Sequence, residues 1–382
     1  MTLMRLMVLL MLLGLGGCST IKGWFGSGNK IVIEPAKLTE FKRTASFAVR
    51  WSANIGDSGS DFLLAALSKD AIYAATSNGK LVSIDASSGK QKWQIETGIR
   101  ISGGTGDGEG LVLVGSDKGD VLAYQEDGKL RWKSKVSSEV LSAPQAADGV
   151  VIVRSGDGHI TGLSAEDGKQ LWVYERITPA LVVRSNAGVT VLRGVAYAGF
   201  AGGKLVAINI KNGEVLWEAA VSQPTGNTEL ERISDITSNP MVDDEQVCAI
   251  SFQGRVACFD ISQGNLLWSR DISSDKGMLL LRKFLYITDA HGALIALDKT
   301  TGSTLWKNDM LRDRNTTAPY VLGNFVVAGD YQGFLHGLNR EDGSFVARIS
   351  LDGSAILTAP VELGEGVLVQ TRKGGLYSLS LH

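Results

Sequence analysis

The hydrophobic residues of this chain fall in short runs rather than long stripes. Leu81-Val82-Ser83-Ile84 is apolar or β-branched at nearly every position and leaves no polar face. Such a run suits a strand covered on both sides. It ends in Asp85-Ala86-Ser87-Ser88-Gly89, a turn in which the Asp carboxylate accepts from local N–H groups and Gly takes the positive φ. A Trp follows at position 93. The arrangement recurs as Ala-Ile-Asn-Ile-Lys-Asn-Gly-Glu-Val-Leu-Trp over 207–217 and as Ala-Leu-Asp-Lys-Thr-Thr-Gly-Ser-Thr-Leu-Trp over 296–306. Trp residues stand at 51, 93, 132, 172, 217, 268 and 306, so the intervals are 42, 39, 40, 45, 51 and 38. A period of about 40 residues built from short β-patterned runs predicts the blades of a β-propeller.

A second count comes from the inner hairpins. Gly marks a turn at 79, 119, 158, 203, 254, 292, 333 and 374. The first six precede a Trp by 13 or 14 residues; Gly333 is followed at that spacing by Ala347, and Gly374 runs out of chain. Eight hairpins predict eight blades, the last without its outer strand. Trp51 is a Trp with no hairpin before it, so Phe47-Ala48-Val49-Arg50-Trp51 supplies the missing strand. The ring is then closed by strands from both ends of the chain, which removes an open sheet edge. The expected fold is all-β, an eight-bladed propeller over 47–382. Residues 18–46, with Gly23, Gly26, Ser27 and Gly28, read as a flexible tether, in which Trp24 is either idle or at a lipid interface.

The 382 residues include 46 Gly and 7 Pro, and the net charge of −2 offers no basic face for nucleic acid. At the N-terminus, Arg5 precedes an apolar run from Leu6 to Leu13 that is shorter than the ~20 residues needed to span a bilayer. Residues 1–17 read as a signal peptide. Leu15-Gly16-Gly17-Cys18 resembles the lipobox of bacterial lipoproteins. The resemblance implies a lipid on Cys18, and Ser19 after it implies the outer rather than the inner membrane. The two remaining cysteines, Cys248 and Cys258, lie on the arms of one hairpin around Gly254. A turn of two or four residues sets them on opposite faces and a turn of three aligns them. The compartment permits a disulfide, but the preferred reading is two buried thiols.

Candidate chemistry is sparse. His159, His291 and His336 sit on or beside hairpins of separate blades and do not share metal-ligand spacing with acids. Asp243-Asp244-Glu245 reads as a solvated charge run. Thr105-Gly106-Asp107-Gly108-Glu109-Gly110 opens no helix, so it is not a phosphate loop. No Ser-His-Asp set is placed by sequence. The repeat resembles the tryptophan-docking motif of pyrroloquinoline-quinone dehydrogenases. That family implies an eight-bladed propeller, a bound calcium and, in many members, an adjacent Cys pair. No two Cys are adjacent here and the chain is shorter, so a quinone-dependent periplasmic oxidoreductase is the alternative reading, and no cofactor or metal is expected.

The two longest Trp intervals, 45 and 51, are consecutive. Their extra residues fall in the connections after Trp172 and Trp217, which emerge on one face of adjacent blades. Loops of this kind carry binding function. Leu181 and Val183 follow Pro179 and, by alternation, point the same way. Arg184 offers a planar fork, and Asp235 either orients Arg184 or meets the partner. These stretches, Pro179-Ala180-Leu181-Val182-Val183-Arg184, Gly226-Asn227-Thr228-Glu229, Glu231-Arg232-Ile233-Ser234-Asp235 and Gly333-Phe334-Leu335-His336, resemble the BamB lipoproteins of the β-barrel assembly machinery, over essentially the whole mature chain. The resemblance implies a non-enzymatic scaffold, monomeric within a hetero-oligomeric complex and lipid-anchored on the periplasmic side of the outer membrane. It also implies binding to the POTRA domains of BamA through Leu181, Val183, Arg184 and Asp235. Thr237 departs from the pattern where other members carry a second acid.

Overall fold

The structure, a computed structural model, describes residues 34–59 and 61–382. Cys18 and Trp24 lie outside the described residues. Within them the chain forms 32 strands in eight four-stranded antiparallel sheets. Seven sheets are consecutive in sequence and are numbered here as blades 1 to 7, at 66–96, 101–135, 145–174, 189–220, 241–270, 277–308 and 320–350. Blade 8 takes three strands from 361–381 and its outer strand from Phe47–Asn54. That strand pairs antiparallel with Gly375–Leu381 through seven residue pairs, from Phe47 opposite Leu381 to Asn54 opposite Gly375. The eight-bladed ring and its closure by the strand of Trp51 are therefore as the repeat predicts.

The core lies in the seams between blades. Ile152 and Ile160 of blade 3 pack with Ala196, Val206 and Ile208 of blade 4; Cys248 and Val256 of blade 5 pack with Leu285 and Ile295 of blade 6. This is why the inner strands read as unbroken apolar runs: Val150–Arg154 is buried at four of its five positions. Each fully buried Val, Leu or Ile contributes about 1.5–3 kcal/mol. Outer strands such as Val215–Ala220 keep one face in solvent, with Trp217 and Ala219 buried and Glu218 and Ala220 exposed.

The Trp residues bolt the seams. The indole N–H of each of Trp51, Trp93, Trp132, Trp172, Trp217, Trp268 and Trp306 donates to a backbone carbonyl in a turn of the next blade, at 2.7–3.1 Å. The ring lies on the Gly of that turn. At Gly264, φ is +71° and an added Cβ would lie 2.5 Å from Trp217 Cε3, so both the backbone and the docked indole require glycine. Ala347 breaks the series: it is 1% exposed and packs in the seam with Leu379 and Leu381 of blade 8.

Another segment fills that place. Pro35–His382 forms one compact unit, in which residues 35–46 lie as a strap ahead of the first propeller strand, Phe47–Asn54. Thr44 and Ala45 N–H both donate to the Val346 carbonyl, at 3.1 and 3.2 Å. Phe41 stacks on Phe345 at 5.4 Å with the Arg348 guanidinium over its ring. Arg314 donates to the Ala36 carbonyl at 3.0 Å and Arg348 to the Thr39 carbonyl at 3.1 Å.

Behind these arginines lies a buried network. Arg314 donates to Asp330 Oδ2 at 2.7 and 2.9 Å. Arg348 Nε donates to His336 Nδ1 at 3.1 Å, so the imidazole carries its proton on Nε2, which donates to Asp330 Oδ2 at 3.0 Å. Burial holds His336 below its ordinary value of 6.5, with Arg348 and Arg314 adding to that effect and Asp330 opposing it. The sign follows: below about pH 6.5 the unfolded chain takes up a proton that native His336 refuses, so stability falls as pH falls from there. Burial alone would raise Asp330, but its bonds from His336 and Arg314 outweigh this and hold it below the usual range. Its stabilisation is lost only at lower pH. Denaturation midpoints measured between roughly pH 7.5 and 5 should decline, and His336→Gln should flatten that limb. An equal decline in the variant would contradict the assignment.

One feature departs from expectation and a second lies outside what the repeat predicts. Cys248 and Cys258 stand directly opposite, with Cα atoms 4.1 Å apart, and form a disulfide rather than two free thiols. Ser251 N–H donates to the Arg255 carbonyl, which leaves three residues in the turn, the length that aligns the two side chains. The second is that all eight outer strands carry a β-bulge, and in each the extra residue immediately precedes the docking position: Arg50, Lys92, Arg131, Leu171, Leu216, Leu267, Leu305 and Val346. A bulge interrupts the ladder and blunts an exposed edge against pairing with another chain.

Candidate functional site

In a four-stranded antiparallel blade, the turn between the second and third strands and the exit from the fourth lie at the same end. The inner hairpins and the blade-to-blade connections therefore share one face. On that face a cleft of about 240 Å³ opens over blades 3 and 4. Three connections border it: the one after Trp132 supplies Glu139 and Leu141, the one after Trp172 supplies Thr178, Val182 to Ser185 and Ala187, and the one after Trp217 supplies Asp235 and Ile236. Arg154 and Phe200, from the inner strands, complete the lining.

The two long connections do meet in space, as their adjacent positions predict. Their link is Asp235, which is 4% exposed. Its Oδ2 accepts from Val183 N–H at 2.7 Å and its Oδ1 from Gly202 N–H at 3.0 Å, while its carbonyl accepts from Phe252 N–H at 2.8 Å. Asp235 thus neither orients the Arg184 side chain nor stands on the surface. It fixes the backbone of the loop that carries Arg184. Arg184 is oriented by Glu139, through Nε to Oε1 at 3.1 Å and Nη2 to Oε2 at 2.8 Å. Glu139 is held in turn by the Gly156 N–H, which donates to its carbonyl at 2.7 Å.

The apolar residues are arranged differently from simple alternation. Leu181 and Val182 are both exposed, at 41% and 39%, whereas Val183 is half-buried and turns into the cleft. The Asp235 bond to the Val183 N–H sets this twist. Ile177 and Leu230, on the same two connections, stand in solvent at 97% and 66%. Thr237 is buried, with its hydroxyl unpartnered. Sequence reasoning missed Glu139, Arg154, Val182 and Ile177. Glu139 lies after an ordinary Trp interval, and Arg154 ends an inner strand, so neither carried a signal.

The remaining candidates do not assemble into a reactive centre. His159 faces Ser137 and Asp157, His291 faces Asp313, and His336 is spent in the strap network. Among the described residues no group of three or more His, Cys, Asp or Glu is placed to hold a metal ion. Asp243 and Glu245 pair with Lys299, and Asp244 with Arg193, so the acidic run is tied rather than free. Ile101–Gly108 is a strand, with no helix after it.

Comparison with known proteins assigns the family. The family model described as outer membrane protein assembly factor BamB matches residues 96–308 and 290–382. The outer membrane protein assembly factor BamB of Nitrosomonas eutropha is 41% identical over 99% of this chain and 95% of its own. That of Burkholderia pseudomallei is 41% identical over 90% of each. BamB from Moraxella catarrhalis superposes with a TM-score of 0.81 at 26% identity, over 87% of this chain and 99% of that one. A quinohemoprotein alcohol dehydrogenase from Comamonas testosteroni also superposes, with a TM-score of 0.73, but at 13% identity that likeness shows the fold alone. With a Trp-bolted eight-bladed ring, a loop-built cleft and relatives matched along nearly the whole chain, the protein belongs to the BamB family of outer membrane protein assembly factors.

Proposed function

We propose that the chain is a non-enzymatic scaffold of the outer-membrane β-barrel assembly complex, lipid-anchored through Cys18 on the periplasmic face, where it binds the POTRA domains of BamA as a monomer. The observation that carries the partner site is the pair of long connections locked by Asp235. They present Leu181 and Val182 beside the Arg184–Glu139 pair at the rim of a cleft. Exposed apolar residues around a fixed guanidinium are the composition of a binding hot spot. Val183 takes part by lining the cleft and Asp235 by holding the loop.

The test is a titration of purified BamA periplasmic domain against this protein. Arg184→Ala should weaken binding by on the order of 1–4 kcal/mol, as hot-spot truncations do, with the melting temperature little changed because the Arg184 side chain is mostly exposed. Wild-type affinity in a Leu181→Ala, Arg184→Ala double variant would refute the site. Lipid on Cys18 is read independently from the mass of the mature N-terminal peptide.

A further inference from the structure

We infer that Arg154 is the floor of an acceptor pocket for a partner carboxylate: the cleft takes an acidic side chain flanked by an apolar one, carried on the BamA periplasmic domain. The inference rests on the partner reading above and adds the chemistry that this surface recognises.

Arg154 ends the strand Val150–Arg154 and projects into the cleft between the long connections. A guanidinium has five N–H donors. Here one of them reaches an acceptor, the Gly188 carbonyl, at a long 3.4 Å. Its Cζ lies 5.2 Å from the centre of the Phe200 ring, which supports a cation on one face but satisfies no N–H. Asp235, the carboxylate whose charge acts on it, has already committed both oxygens to the Val183 and Gly202 N–H groups. Among the described residues no carboxylate lies within salt-bridge distance of Arg154. Arg184, at the rim, is the opposite case, with both its Nε and Nη2 spent on Glu139. Of the two arginines that line the cleft, the one with its charge unspent is therefore Arg154.

A cation in such a place has been partly stripped of water without receiving a counter-ion. Burial pushes the Arg154 guanidinium down to about 10, with the Asp235 charge opposing. A carboxylate entering the cleft restores the missing partner and forms the stronger, charge-assisted class of hydrogen bond. The volume of about 240 Å³ is below the ~300–1,000 Å³ of small-molecule sites and suits one or two side chains. Leu141, Val182, Val183, Ala187 and Ile236 supply apolar wall among the polar groups of the lining, so the acid should sit next to an apolar neighbour.

The experiment measures Kd for the BamA periplasmic domain with the full mature protein, its Arg154→Gln and Arg154→Lys variants, and a set of BamA domains with single Asp→Asn or Glu→Gln changes. Arg154→Gln should raise Kd at least tenfold, Arg154→Lys should recover part of that, and one acidic substitution in BamA should lose its own effect in the Arg154→Gln background. The BamA-side changes leave this protein intact, so misfolding of an Arg154 variant does not obscure the result. Wild-type Kd for Arg154→Gln, or no acidic position coupled to it, would overturn the inference while the partner reading stands. No binding by the wild-type pair would overturn the partner reading, and the inference with it.

Discussion

A chain lacking residues 47–54 should lose on the order of 5 kcal/mol of stability and begin to self-associate. The deletion cuts two supports at once. Gly375–Leu381 loses its neighbour along seven residue pairs, and Trp51 no longer docks on Gly89 or donates to the Ala86 carbonyl of blade 1. The seam of Ile55, Ala65, Ile72, Leu368 and Leu376 is left half open. What remains is a ring with an unpaired strand at its gap, and that strand has no bulged neighbour to protect it. Thermal denaturation should show a fall of roughly 10 °C, and size-exclusion chromatography should show oligomers. A monomer melting at the wild-type temperature would mean that this strand does not close the ring.

Asp235→Ala should lower both stability and partner capture, although almost none of Asp235 is accessible. Removing its carboxylate leaves the Val183 and Gly202 N–H groups without acceptors and takes away a charge that acts favourably on Arg154. Each buried N–H left unsatisfied costs on the order of 1–3 kcal/mol. The connection from Thr178 to Ala187 then loses its link to the next one. Amide exchange at 181–186 should accelerate, and Kd for the BamA periplasmic domain should rise at least tenfold, with Arg184 itself untouched. Asp235→Asn should fall between, since an amide supplies one acceptor but sets its NH2 against the second N–H. Unchanged exchange and unchanged capture in Asp235→Ala would show that the loop is held by something else.

The parts legible in the sequence are those where one residue type is physically required. An indole needs a flat surface without a Cβ, so each docking Trp implies a Gly near the next turn, and the repeat shows itself even where strand patterning is weak. Ala347 signalled its exception by the same logic. The strap was not legible because Leu38, Phe41 and Ala45 follow neither strand alternation nor the Trp spacing, and they sit next to a Gly-rich stretch. The disulfide turned on whether Ser251 and Arg255 pair, a difference of one residue in turn length that composition does not decide. Insertion length singled out two connections that meet over one cleft. It said nothing of Glu139, in a connection of ordinary length, nor of which way the Asp235 carboxylate turns, which depends on where two loops from different blades meet.

The strap also decides how the ring bears mechanical load. A pull on the chain ahead of Pro35 does not act directly on the strand that closes the propeller. It must first detach the Ala36 carbonyl from Arg314, then the Thr39 carbonyl from Arg348 with Phe41 from Phe345, then Thr44 and Ala45 from Val346. Only after these does force reach Phe47. Contacts loaded one after another each yield at their own strength rather than at that of their sum, so the strap acts as a fuse that gives way step by step and re-forms, and while any of it holds the closure behind it stays under no tension.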